Sequence, residues 1–147
     1  MTSEEMTQLL QAHIPLCQFM QLSCTKLDGF NIETQAPLTP NINMHGTGFA
    51  GSLYALAVAT GWALVHNRIT LAGIVGQLVV KEATIHYKRP VTEHISLQSS
   101  LDANLKDEEI ELQLANEKRA TFPIIVSIFS NGKKRGYLEA DYVIVRR

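Results

Sequence analysis

The period of apolar and polar positions changes several times along the chain, and each change marks an element. Thr2-Ser3-Glu4-Glu5 offers capping hydroxyls and then acids for the positive end of a helix dipole; Met6, Leu9, Leu10 and His13 follow at helical spacing. Pro15 interrupts, and suits the first turn of a second, short helix over residues 15–20. From Leu22 the period drops to two. Leu22, Cys24, Lys26 and Asp28 alternate with Ser23, Thr25 and Leu27, Gly29 permits a bulge or sharp bend, and Phe30, Ile32 and Thr34 continue the extended pattern until Pro37 and Pro40. A long helix is predicted over residues 47–65, with Asn67-Arg68 as its exit; residues 71–76, apolar with two glycines, match no element.

The second half alternates. Val79, Val80, Thr84, Ile85 and Tyr87 make residues 78–88 a strand, which Pro90 ends because it cannot donate to a ladder. Residues 95–103 place Ile95, Leu97, Ser99 and Leu101 on one face, the mark of a half-buried antiparallel strand. In residues 107–118 the alternation of Ile110, Leu112 and Leu114 argues strand, whereas the strong helix formers around them argue a short helix, which is preferred. Residues 120–130 form a strand, Asn131-Gly132 is a hairpin signal, and residues 133–147 return. The order predicts an α+β fold: one curved antiparallel sheet wrapped around a long hydrophobic helix.

Composition narrows the function. The 147 residues carry 46% hydrophobic and 18% charged side chains and a net charge of -1, which fits a folded domain and gives no broad electrostatic case for nucleic acid. Residues 49–65 carry no charge, yet at ~25 Å they fall short of a ~30 Å hydrocarbon core and hold Gly51, Ser52, Thr60 and Gly61. Burial in a soluble core is preferred to a membrane span. The acidic N-terminus lacks the basic region of a signal peptide, and a cytoplasmic location is expected. Cys17 and Cys24 read as buried thiols, a disulfide being the lesser alternative; no spacing suits a metal.

The segment from Asn41 to His66 is the most informative. A polar, Gly-rich loop, Asn43-Met-His-Gly-Thr-Gly48, runs directly into the apolar helix, and no Asp or Glu occurs between Glu33 and Glu82. Asn43-Met-His-Gly-Thr-Gly-Phe-Ala-Gly-Ser-Leu-Tyr-Ala-Leu-Ala, with Ala83-Thr-Ile-His-Tyr-Lys-Arg-Pro-Val91, resembles the hotdog fold of acyl-CoA and acyl-carrier-protein thioesterases, most nearly the thioesterase family of YiiD C-terminal type. In that family an acetyltransferase domain often precedes the hotdog unit; here the hotdog unit is expected to fill residues 1–147 as a single domain.

The resemblance implies hydrolysis of an acyl-CoA or acyl-carrier-protein thioester, with coenzyme A or phosphopantetheine as part of the substrate and no separate cofactor. It also implies a homodimer or dimer of dimers paired edge to edge, for which residues 78–88 are the candidate edge. Asn43 falls where phenylacetate-pathway thioesterases have an active-site asparagine. Phe49-Ala50-Gly51 falls where they have His-Gly-Gly, and Val58 where several have a catalytic Asp. The motif histidine and the acid are thus replaced by Phe49 and Val58.

Candidate roles follow, each with a competitor. Amides from Gly46 to Gly51, at a helix N-terminus, suit an oxyanion, or the glycines merely shape a tight loop. His45 is the candidate base, or a loop histidine bonding a carbonyl. Asn43 positions water or the thioester carbonyl, or caps a turn. Ser52 is a nucleophile without a Gly-x-Ser-x-Gly setting, better read as a small polar contact. Thr47, Gly48, Phe49, Tyr54 and Val58 are assigned to substrate contact; for Tyr54 and for Thr60, core packing is the stronger reading. Lys88 and Arg89 meet the phosphates of the carrier, or end a strand in solvent. Ala57, Ala59 and Gly61 leave room for an acyl chain or for close strand packing. A non-hydrolytic acyl-binding protein or partner subunit is the alternative function, because the acid is absent. A dehydratase-type hotdog ranks lower, because it would pair histidine with a carboxylate.

Overall fold

A computed structural model describes residues 1–146. Helix α1, Ser3–His13, starts in a capping box: Thr2 Oγ1 accepts from the Glu5 amide at 3.1 Å, and Glu5 Oε1 accepts from the Thr2 amide. Helix α2, Pro15–Phe19, follows with proline in its first turn. Strands β1, Ser23–Leu27, and β2, Asn31–Ala36, form an antiparallel hairpin, where the sequence pattern suggested one strand bent at Gly29. The turn is built by Asp28, whose Oδ1 accepts from the amides of Phe30 and Asn31 at 2.8 Å each. Those bonds, the Phe30 amide first, hold its carboxyl below its ordinary pKa.

Helix α3, Ala50–Leu71, is the axis of the molecule. It starts later than its composition suggested, because the amides of Thr47, Gly48 and Phe49 are taken by partners outside the helix. It also ends later. Asn67 and Arg68 are not an exit but buried anchors. Asn67 Nδ2 donates to Asp28 O at 3.1 Å; Arg68 donates to Leu105 O at 3.0 Å, pairs with Asp107 at 2.6 Å and lies over the Phe30 ring. The stop is a Schellman motif, with Ile74 N bonding Ile69 O, Gly73 N bonding Thr70 O, and Gly73 at φ +72°.

Strands β3, Gly76–Tyr87, β4, Ile95–Ser100, β5, Arg119–Ser130, and β6, Lys133–Arg146, complete one six-stranded antiparallel sheet in the order β1-β2-β4-β5-β6-β3. Helix α4, Asp107–Glu117, resolves the ambiguous segment: Ile110 and Leu114, four apart, are buried, whereas Leu112 is 61% exposed. Asn131 and Gly132, at φ 52° and 72°, turn the last hairpin. The sheet curls around α3, burying Leu56, Ala57, Thr60, Ala63, Leu64 and Val65 against inward residues such as Ile32, Leu97, Val126 and Ile144. This is the hotdog architecture. Among the described residues no helix is long and apolar enough to cross a membrane.

The two edges of the sheet differ. At β1, Thr7 Oγ1 accepts from the Cys24 amide at 2.8 Å and Gln11 Nε2 donates to Leu22 O at 2.9 Å, so α1 covers that edge with side-chain hydrogen bonds. Strand β3 is the other edge. Cys17 and Cys24 are free and buried; burial pushes both thiols up to about 11, which leaves them unreactive at neutral pH.

Candidate active site

The loop before α3 is organised by one side chain. Asn43 Oδ1 accepts from the amides of His45 at 2.9 Å and Thr47 at 3.1 Å, while Nδ2 donates to Thr47 Oγ1 at 2.8 Å and Gly48 O at 3.4 Å. Gly46, at φ +80°, completes the turn, and its amide donates to Asn43 O. The Gly48 amide donates to Val91 O at 2.8 Å, which ties the loop to the chain leaving β3. Both polar atoms of the Asn43 side chain are thereby bonded within its own loop, as the turn-capping reading of this residue expects.

These bonds also sort the amides. Those of Gly46, Thr47, Gly48 and Phe49 have partners, so they are not free for an oxyanion. Those of Ala50, Gly51 and Ser52, the first turn of α3, have no partner among the described residues, and Phe49 gives α3 no side-chain cap. Of the expected stretch, Gly46 to Gly51, two free donors remain, and Ser52 adds a third beyond it. The Phe49 ring lies over Gly51, where an added Cβ would come within 2.7 Å of it.

A cleft of about 320 Å³ opens beside this turn, lined by Asn43, Thr47, Gly48, Ala50 and Leu53 on one side and by Tyr87 to Val91 on the other. The structure thus brings the Asn43 loop and Lys88-Arg89 together from opposite ends of the sequence segment between them. Tyr87, read in the sequence only as a strand former, donates from its hydroxyl to Ala50 O at 2.7 Å; burial, then Tyr54, raises its pKa. Its position next to Lys88-Arg89 was the available signal. The Lys88 and Arg89 amides both bond Arg135 O at 2.9 Å, so the second basic run, Lys133-Lys134-Arg135, adjoins the mouth of the cleft. His45 is exposed on the same loop, its ring without a partner among the described residues. No carboxylate lines the cleft.

Other predicted residues lie elsewhere. Ser52, half-buried, lines neither this cleft nor the groove next to it. Tyr54 and Val58 line that groove, which is apolar, about 480 Å³, and also bounded by Trp62, Val79 and Val80. Where related enzymes were expected to carry an acid, Val58 therefore faces hydrocarbon lining, and its carbonyl accepts from Tyr142 Oη at 2.7 Å. Thr60 is fully buried, donating to Leu56 O at 2.8 Å and accepting from Thr34 Oγ1 at 2.7 Å. His86 is half-buried, stacked on Tyr137 and 3.0 Å from Glu139.

His66 stacks on Trp62 with ring centroids 4.6 Å apart, and burial lowers its pKa. Between its folded and unfolded pKa values this imidazole binds fewer protons folded than unfolded. Its contribution is complete above pH ~6.5 and is lost as the pH falls through the folded value. The melting temperature is expected to drop between pH 7.5 and pH 5, and His66→Gln to shrink that drop. An equal drop in both proteins assigns the effect to other groups.

The family profile described as "Putative thioesterase (yiiD_Cterm)" matches residues 3–146. A protein from Shewanella oneidensis described as a "putative thioesterase" has a solved structure 29% identical to this chain, with a TM-score of 0.86 over 97% of this chain and 96% of that one. A Chlorobaculum tepidum protein of unknown function is 26% identical, with a TM-score of 0.91 over 99% of this chain and 94% of that one. A thioesterase from Haemophilus influenzae, 15% identical with a TM-score of 0.76 over 99% and 92%, shares the fold. With the profile match running over nearly the whole length and the hotdog sheet agreeing with it, the chain belongs to the thioesterase family of YiiD C-terminal type.

Proposed function

We propose that this chain hydrolyses acyl thioesters of coenzyme A or of an acyl carrier protein. The observation that carries the reading is the uncapped first turn of α3, whose first residue, Ala50, lines the cleft together with Thr47, Gly48, Tyr87, Lys88 and Arg89. Three unpaired N–H groups at the positive end of a helix favour negative charge on a carbonyl oxygen. Water attacks the carbonyl carbon while His45 takes its proton; the C–S bond then breaks, and the imidazolium returns the proton to the leaving thiolate. Lys88 and Arg89 bind the phosphate of the carrier, with Arg135 close behind them. Coenzyme A or phosphopantetheine enters as part of the substrate, and the reaction calls for no other cofactor.

The active unit in this reading is a homodimer, or a dimer of dimers, paired through β3. That strand is the sheet edge that α1 does not cover. Turnover of a panel of acyl-CoAs by wild type and His45→Ala tests the proposal. The wild type is expected to hydrolyse at least one chain length, and the variant to lose 10²-fold or more in kcat, on the order of a general-base contribution. No turnover at any length sinks hydrolysis; an unaffected variant removes His45 as base.

The absence of a carboxylate from the cleft favours one second reading, an acyl-thioester-binding protein that does not hydrolyse its ligand. Calorimetric binding of an acyl-CoA that survives incubation intact would select it.

A further inference from the structure

Helix α3 is buried on most sides, but Ala50, Tyr54, Val58, Trp62, His66 and Thr70 recur at every fourth position, and none of them is fully buried. They form one open stripe. Strand β3 runs back along it: Tyr87 reaches Ala50 O at one end, and Leu78 O meets Trp62 further along. The seam between α3 and β3 holds three successive concavities. The polar cleft lies at Ala50 and Tyr87, the apolar groove of about 480 Å³ at Tyr54 and Val58, and a third space of about 410 Å³ at His66 and Thr70.

Trp62 is the single residue that lines both the second and the third of these spaces. It is pinned there. Its Nε1 donates to Leu78 O at 3.3 Å, and its ring stacks on His66 at an interplanar angle of 11°. The seam therefore has unpaired amides and basic side chains at one end, an uncharged hydrocarbon-lined groove next, and a fixed aromatic wall after that.

We infer that Trp62 sets the acyl chain length: the chain of a thioester seated at Ala50 runs through the groove at Tyr54 and Val58 and stops against the indole. This rests on the thioester reading of the cleft. The layout matches an amphipathic ligand, phosphate and carbonyl at the polar end and methylenes in a groove without a charged lining residue. Ala50, where the thioester is seated, to Trp62 spans twelve residues of α3, ~18 Å. An extended chain advances ~1.2 Å per bond, so a chain of about fifteen carbons reaches the indole.

Trp62 is the only tryptophan in the chain, so its emission reports arrival of the chain end without any mutation. Non-hydrolysable thioether analogues of saturated acyl-CoAs, graded in length, are titrated against the wild type and Trp62→Ala. Affinity of the wild type is expected to rise about fourfold per methylene, to level off at about fifteen carbons, and the indole emission to shift only as that length is approached. In Trp62→Ala the rise continues into longer chains, and the kcat/KM optimum moves with it. A wild-type series that rises without a break, an emission that never responds, or a break at the same length in Trp62→Ala overturns the inference. So does emission that follows protein concentration but not ligand, which makes the groove an interface between copies. A break that persists when no analogue of natural chemistry is hydrolysed keeps the wall and overturns hydrolysis alone.

Discussion

Ala50→Pro is expected to lower kcat by a factor on the order of 10²–10³ while leaving the fold intact. Ala50 is the first residue of α3, the position where proline is most readily accepted, because an N–H there has no helical partner to lose. Phe49, at φ -70° and ψ 129°, already sits in the extended region that a following proline demands. The Ala50 carbonyl, which accepts from Tyr87, is unchanged. The substitution therefore deletes one unpaired donor on a residue that lines the cleft, and little else. Because an oxyanion accepts a stronger hydrogen bond than a ground-state carbonyl, the loss falls on kcat more than on KM. Steady-state kinetics on a substrate that the wild type turns over, with urea unfolding alongside, gives the answer. Wild-type kcat at wild-type stability would remove the Ala50 amide from the oxyanion site.

Gly61→Ala is expected to destabilise the protein by about 2–5 kcal/mol, a large share of the ~5–15 kcal/mol that holds a domain of ordinary stability. Helix propensity alone points the other way, favouring alanine by ~1 kcal/mol in a helix interior. Packing decides. A Cβ at Gly61 would overlap Tyr142 Oη and lie 2.8 Å from Cζ. Tyr142 is fully buried and its hydroxyl is bonded to Val58 O, so the ring has nowhere to go without breaking that bond in a dry core. Burial also holds the phenol well above its ordinary pKa, so it stays protonated and donating. Urea denaturation should show a lower midpoint at an unchanged slope. Tyr142→Phe in the same background should recover part of the loss, since it removes the overlapping oxygen. A Gly61→Ala protein as stable as wild type would show that the ring can yield. The sequence left open whether the small residues of α3 make room for an acyl chain or for a strand; at Gly61 it is the strand.

Several parts of the fold could be read from local pattern because local physics makes them. The capping box at Thr2, the Asn131-Gly132 turn and the period-two strands β4, β5 and β6 depend on neighbours a few residues away. Helix α3 was visible as a hydrophobic run, but its ends were not. Its start depends on Gly48 meeting Val91 and Phe49 meeting Asn41, and its late end on Arg68 finding Asp107 and Leu105. Polar residues that look like a helix exit become its interior when a distant segment supplies their partners. The hairpin of β1 and β2 was hidden for a related reason: alternation runs through Asp28 without a break, and only the side-chain bonds of that residue turn the chain.

Sequence alone determined the class of fold and the two segments that meet at the cleft. A largely apolar helix of this length has to be wrapped, and alternating strands with short turns provide a sheet to wrap it. It also placed the Gly-rich loop at the helix N-terminus, where unpaired amides must occur. Tertiary structure decided which of those amides remain free, because Asn43, Val91 and Asn41 consume the rest. It decided that Val58, in the place of an acid, faces an apolar groove, and that Trp62, which also lines that groove, is bonded to β3. The physical reason is common to all three. Periodicity fixes which face of an element a side chain occupies, but the hydrogen-bond partners and the free volume at that face come from residues far away in the chain.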